Sequence, residues 1–167
     1  KMLAQYYPLD VRRWMPGLLY QLHLSSSATL TEAALSAKPA NWSPNKPELL
    51  DTVHGADLEH RRHARNLRHA MAFNMFAVGA YMQDSDLRWS DFREADMRRA
   101  DFRTALMRGV NFRFAEVDGA DFRNADLTDA RFRQASVDGT KFQGARLDGA
   151  NFADASLRGA RFELATL

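Results

Sequence analysis

The 167-residue chain contains no cysteine. Disulfides, thiolate zinc centres and cysteine nucleophiles are therefore excluded at the outset. It also lacks any apolar run near the roughly 18 residues that a membrane helix needs. The longest candidate, AMAFNMFAVGAYM over 70–82, is too short and carries Asn74 in its middle. No signal-peptide pattern is visible. Histidine stops at His69, no GxSxG elbow occurs, and no glycine loop is arranged to cradle a phosphate. Charge of one sign is scarce too. The net charge is +2, with nine Lys/Arg against six Asp/Glu over 1–83 and fourteen against fifteen over 84–167. Neither half holds a surplus that would by itself dictate a partner.

What the chain does contain is a repeat. Residues 120–139 read ADFRNADLTDARFRQASVDG, with a large apolar residue at every fifth position and a small one two places before it. The large series runs in one register from Met82 through Phe92, Met97 and Phe102 to Leu167, and the small series from Ala80 to Ala165. A period of five fits neither a helix at 3.6 nor a strand at 2. A chain that turns a corner every five residues points both marked positions inward on every side. Neighbouring coils then hydrogen-bond edge to edge, as stacked units of a solenoid do. Phe recurs every ten residues from Phe92 to Phe162, with Leu, Met or Val between. That recurrence supports an even-sided coil; on a four-sided one these Phe would occupy two opposite sides, each stacked on the Phe twenty residues away. The glycines at 109, 119, 139, 144, 149 and 159 all fall two places after a large residue, where the coil turns its corner.

The pattern (A/S)(D/N)(L/F)xx resembles the pentapeptide-repeat family over at least 80–167. The resemblance implies a right-handed quadrilateral β-helix, its four five-residue sides making a coil of about twenty residues that rises ~4.8 Å. The expected fold is an all-β solenoid of about four to five coils, with a small, mostly helical or irregular N-terminal cap. The expected boundaries are 1–66 for the cap segment and 67–167 for the β-helix.

The N-terminal third follows another grammar. Short helical pieces are punctuated by Pro8, Pro16 and Gly17, Thr29 to Glu32 fits a capping box, and AKPANWSPNKP over 37–47 reads as an extended connector anchored by Trp42. A solenoid needs such a cap, because its end coil exposes apolar core and unpaired backbone groups. Extending the register backwards places Leu67, Ala72 and Ala77 at large-residue positions. It also turns Met71, Phe73, Phe76, Val78 and Tyr81 outward, an apolar surface that the N-terminal segment is expected to cover. Ala56-Asp57-Leu58 falls nine residues before Leu67, so the first coil should be irregular. ALSAKPANW, LLDTVHGADL and ARNLRHA together resemble the segment that precedes the repeats in some membrane-anchored bacterial members. With Lys1 and Leu167 as ends, the chain is expected to be the cytoplasmic, soluble part of a larger membrane-anchored protein, with no membrane insertion of its own.

On the exterior, the position after each large residue is often Arg. Twenty-residue spacing stacks Arg93, Arg113 and Arg133 on one side, and Arg103 with Arg123 on the opposite one. The position before the large residue is acidic in the early coils. Either these charges neutralise one another on a solvated surface, or the arginines form a stripe that grips acidic partners or phosphates. Trp89, Leu106 and Phe114 are the apolar exceptions on this exterior. Either the N-terminal segment covers them or they form a partner-binding patch, and with Arg93, Arg113 and Arg133 they are the candidate interaction residues.

Chemistry finds few other footholds. His60 and His63 have a spacing that metal ligation accepts, but Arg61, Arg62, Arg65 and Arg68 would repel a cation, so no metal and no cofactor is expected. The leading functional expectation is a non-enzymatic protein-interaction or scaffolding module, a rigid rod presenting flat faces to a protein partner. An end-to-end homodimer through the C-terminal coil is a further expectation for partners. One alternative comes with the resemblance: quinolone-resistance members mimic DNA and bind a topoisomerase. They are strongly acidic and many project loops, whereas 84–167 carries net −1 and 82–167 has no insertion. The other alternative is a basic surface, built on those four arginines and the stripe, that binds nucleic acid or anionic membrane. Interleaved carboxylates make nucleic acid the less expected partner.

Overall fold

The computed structural model describes residues 67–167. Four parallel bridges per coil join the residue before each large one to its equivalent twenty positions on: Met71 to Asp91, Phe76 to Asp96, Tyr81 to Asp101 and Asp86 to Leu106, and so on to Arg146 with Thr166. The result is a right-handed quadrilateral β-helix, as the family resemblance implies, and its described part makes five coils, within the expected four to five. We number its sides by their large residues. Side 1 carries Ala72, Phe92, Phe112, Phe132 and Phe152; side 2, Ala77, Met97, Val117, Val137 and Leu157; side 3, Met82 and Phe102 to Phe162; side 4, Leu67, Leu87, Met107, Leu127, Leu147 and Leu167.

Each side uses its backbone groups twice. Phe92 N donates to Asn111 O (2.8 Å) and Asn111 N to Ser90 O (2.9 Å), which ties adjacent coils together. Ala95 N donates back to Phe92 O (3.1 Å) and closes the corner as a tight turn. The third residue of that turn takes positive φ, 58° at Glu94 and 68° at Gly109. Gly and Asn accept this conformation cheaply, whereas a bulky side chain does not.

The core is a shaft of rings. Phe102, Phe122, Phe142 and Phe162 stack face to face on side 3, with centroids 4.8, 5.3 and 5.0 Å apart. Phe92, Phe112, Phe132 and Phe152 do the same on side 1 at 5.5, 5.0 and 4.8 Å. The two columns meet edge to face, Phe112 against Phe122 at 5.8 Å and 73°. Where the small position is polar, its hydroxyl finds a main-chain acceptor in the preceding coil: Ser90 Oγ to Leu67 O (2.7 Å) and Thr140 Oγ1 to Val117 O (2.9 Å). Ser85 Oγ, equally buried, has none among the described residues.

At the N-terminal end of the described coils, the outward face of side 2 is covered. Phe76, Val78 and Arg98 all point away from the core yet are only 7%, 1% and 5% exposed, while Met71 on side 1 is 42% exposed. The expected covering segment, its helical pieces and the irregular coil at Ala56-Asp57-Leu58 lie outside the described residues. Among those that are described, no helix is long and apolar enough to cross a membrane. The His60 and His63 pair is likewise outside them.

Candidate protein-interaction surface

In each five-residue side, the residues just before and just after the large one both point outward, as alternation along a strand requires. Where they are Asp and Arg, they close on each other. Arg88, Arg93, Arg98, Arg103 and Arg123 each donate Nε and Nη2 to the carboxylate two residues back, at 2.6–2.9 Å, on Asp86, Asp91, Asp96, Asp101 and Asp121. For these five arginines the neutralised-surface reading is the one the structure adopts. Arg93, one of the candidate interaction residues, is therefore already engaged.

The forks leave a mark on titration. Burial acts to raise the Asp86 and Asp121 carboxyls, but hydrogen bonds from Arg88 and Arg123, and their charges, outweigh it and hold both below the usual range. Asp138 is lowered by the Ser156 hydroxyl and the Arg158 main-chain N–H, against some burial. These groups bind protons less readily folded than unfolded, so their contribution is present above the ordinary aspartate value of about 3.9 and lost as pH falls through the lower folded values. Glu116 runs the other way, raised by burial against the pull of Arg98. Urea midpoints are thus expected to hold between about pH 7 and 5 and to fall steeply below about 4. A midpoint unchanged in acid would refute the role of the forks.

The pattern first breaks at the start of the third coil. Leu106 and Asn111 stand where the fork aspartates belong, and Arg108 and Arg113 turn elsewhere. The Arg108 guanidinium lies 5.9 Å from the Trp89 ring and reaches Asp129 Oδ2 at 3.4 Å. The Arg113 guanidinium lies 5.6 Å from the Phe114 ring. Asn111 spends its one carbonyl oxygen on the Arg113 main-chain N–H (3.3 Å), leaving Arg113 Nε buried with no hydrogen-bond partner among the described residues.

Both aromatic rings sit on corners. Trp89 and Phe114 hold φ at 63° and 62°, positions filled elsewhere mostly by Gly, Asp or Asn. Trp89 lies flat over Gly109, where an added Cβ would come within 2.2 Å of the indole. Trp89, Leu106 and Phe114 are 45%, 43% and 45% exposed. Leu106 lies on side 4, Trp89 on the corner between sides 4 and 1, and Arg93, Arg113 and Arg133 in one column on side 1. Phe114 stands at that side's far corner. Arg133 is the loosest of the column, its Nε 3.6 Å from Asp154 Oδ2 with both side chains more than half exposed.

Sequence reasoning missed Leu164, 92% exposed at a corner with φ of 62°, although its place two residues after Phe162 was the available signal. It also missed a clamp on side 2. Asp118 accepts from Ser136 Oγ (2.6 Å) and Asp138 N (2.8 Å), and Asp138 in turn from Ser156 Oγ (2.6 Å) and Arg158 N (2.8 Å). No group of three or more His, Asp or Glu able to hold a metal ion occurs among the described residues.

A chain whose pairing, corners and core repeat at five and twenty residues is a solenoid with four outer faces. The profile of one family, Pentapeptide repeats, matches it in 8 copies over 78–109, 105–144 and 130–167, more than half of the sequence. The chain belongs to the pentapeptide-repeat family. Among solved structures it is similar to a pentapeptide repeat protein of the Arabidopsis thaliana thylakoid lumen, at 34% identity over 45% of this chain and 56% of that one, with a TM-score of 0.42. The match therefore spans little more than half of that relative's length. Rfr23 of the cyanobacterium Cyanothece 51142 is similar at 17% identity over 91% and 98% of the two chains, with a TM-score of 0.40. QnrB1, a plasmid-mediated fluoroquinolone resistance protein, is similar at 15% over 67% and 69%, with a TM-score of 0.33. Among curated proteins no match is found.

Proposed function

We propose that the chain is a non-enzymatic protein-interaction module and that it engages a protein partner through the patch formed by Trp89, Leu106, Phe114, Arg108 and Arg113. The observation that carries this reading is the pair of exposed aromatic rings held on adjacent corners in a backbone conformation that bulky residues disfavour, each with an arginine beside it. Backbone strain retained at exposed positions is a pointer to function, and Trp, aromatic and Arg side chains are those that dominate binding energy at protein interfaces. Topoisomerase binding by DNA mimicry finds less support, since the forks leave these faces neutral rather than acidic.

The test uses the chain and its Trp89→Ala/Phe114→Ala variant as baits in extracts of the source cell. At least one protein should be retained by the parent and depleted more than ten-fold with the variant, at an unchanged unfolding midpoint. Equal retention of every protein would end the reading.

Two expectations stay with this proposal. Residues 1–66 are taken as the cap over the covered face of side 2, in the soluble part of a larger, membrane-anchored protein. The exposed Leu157, Leu164 and Leu167, beside a half-buried Phe162, favour end-to-end stacking of the last coil on a second copy. Light scattering over a concentration series checks that contact, and a monomer at every concentration would dismiss it.

A further inference from the structure

Side 1 changes character along the axis. The residue before its large position is Asp91 in the second coil, then Asn111, Arg131 and Asn151. The fork that neutralises Arg93 is therefore absent below it. Arg113, Arg131 and Arg133 share one flat face, and among the described residues no carboxylate pairs with Arg113 or Arg131. Elsewhere on the solenoid, a guanidinium beside its own aspartate fills its Nε and Nη2 edge twice over. Here that edge of Arg113 is unfilled, and a buried donor without an acceptor is a standing cost.

We propose that this face binds an acidic, extended segment of a protein partner, whose carboxylates pair with the guanidinium ends of Arg113, Arg131 and Arg133 as aspartate pairs with the other five arginines. The inference rests on the interaction reading above and names the chemistry of its partner. A carboxylate is the planar, bidentate match to a guanidinium, and the same pairing recurs five times in this structure. Arg131 and Arg133 are two apart on one strand. Their side chains therefore stand about 7 Å apart on one face, the repeat of alternate residues on an extended peptide. The rings of Trp89 and Phe114 at the corners give the apolar residues of such a segment a place to pack. A polyphosphate fits less well: the carboxylates of Asp91, Asp129 and Asp154 border these arginines, and a ligand charged at every unit is repelled more than a peptide whose acidic residues alternate with apolar ones.

The experiment is selection of a displayed random decapeptide library on the full chain, repeated on Arg113→Gln/Arg131→Gln and on Arg161→Gln as a surface control. The expected result is enrichment of Asp and Glu with interspersed apolar residues, with binding of the selected peptides at least ten-fold weaker to the double variant and unchanged with the control. The selected peptides should also outcompete a ten-residue oligothymidylate. Stronger binding of the oligonucleotide would overturn the proposal in favour of a phosphate ligand, and so would peptides indifferent to Arg113 and Arg131. If neutral apolar peptides are selected and lost only with Trp89→Ala/Phe114→Ala, the acidic chemistry falls while the interaction patch stands. If no peptide is enriched, the acidic segment is refuted and the patch is judged by the extract experiment alone.

Discussion

Replacing Phe122 by alanine is expected to cost about 3–5 kcal/mol, the largest loss of any single substitution in the repeat. Its ring is fully buried at the centre of the shaft, between Phe102 at 4.8 Å and Phe142 at 5.3 Å, and it meets Phe112 and Phe132 edge-on at 5.8 and 5.9 Å. The cavity has no route to collapse, because the coil walls are fixed by main-chain bonds at a spacing that side-chain loss does not change. In a solenoid, stability is close to a sum over neighbouring coils, so a hole in the third coil also weakens the coupling of the coils on either side. Urea unfolding should then show a lower midpoint and a broader transition. Phe162→Ala, in the half-buried last coil, should cost far less. Equal losses at the two positions would mean that the ring column is not the source of stability.

Asp96→Ala is expected to cost about 3 kcal/mol, well above the same change at Asp91, which should stay under about 1 kcal/mol. The two forks have the same geometry and differ in their surroundings. The Arg98 side chain is 6% exposed, against 41% for Arg93. Removing Asp96 takes its bidentate partner from a buried guanidinium, and the Glu116 carboxylate at 3.2 Å is 42% exposed. An uncompensated buried charge is what makes breaking such a pair costly, whereas replacing both partners by apolar residues is often neutral. Asp96→Leu/Arg98→Met should accordingly recover most of the loss. Thermal or urea unfolding of the three variants decides it, and a double variant no better than Asp96→Ala would show that Arg98 is needed for another contact.

The candidate surface was legible in outline. That Trp89, Leu106 and Phe114 face outward follows from their places one before or two after a large residue, and the structure leaves all three exposed. That Arg93, Arg113 and Arg133 align follows from the twenty-residue period. Their inequality was not legible in the stripe as such. It depends on whether a carboxylate two residues back closes on the guanidinium, which makes Arg93 engaged and Arg113 free at Nε. The Asp-x-Arg spacing carried that information, but only the strand's alternation, which puts both side chains on one face, turns it into a fork. Leu164 escaped for a simpler reason. Its corner position is filled in most coils by Gly or a polar residue and lies outside the apolar register.

The sequence by itself determined the coil. A strict register of small and large residues at five turns both series inward on a coil, and Phe at ten makes its sides even in number; the four sides, and with them the stacking partner of every ring, came with the family resemblance. Tertiary structure decided what the surface offers. Burial of Phe76, Val78 and Arg98, the seating of Trp89 over Gly109, and the division of the arginines into forked and unforked depend on what lies across a corner or one coil away. Those contacts are made between residues about twenty apart. A pattern read along the chain gives the position of each side chain, but the free energy of a surface group is set by the charges and rings that the next coil places beside it.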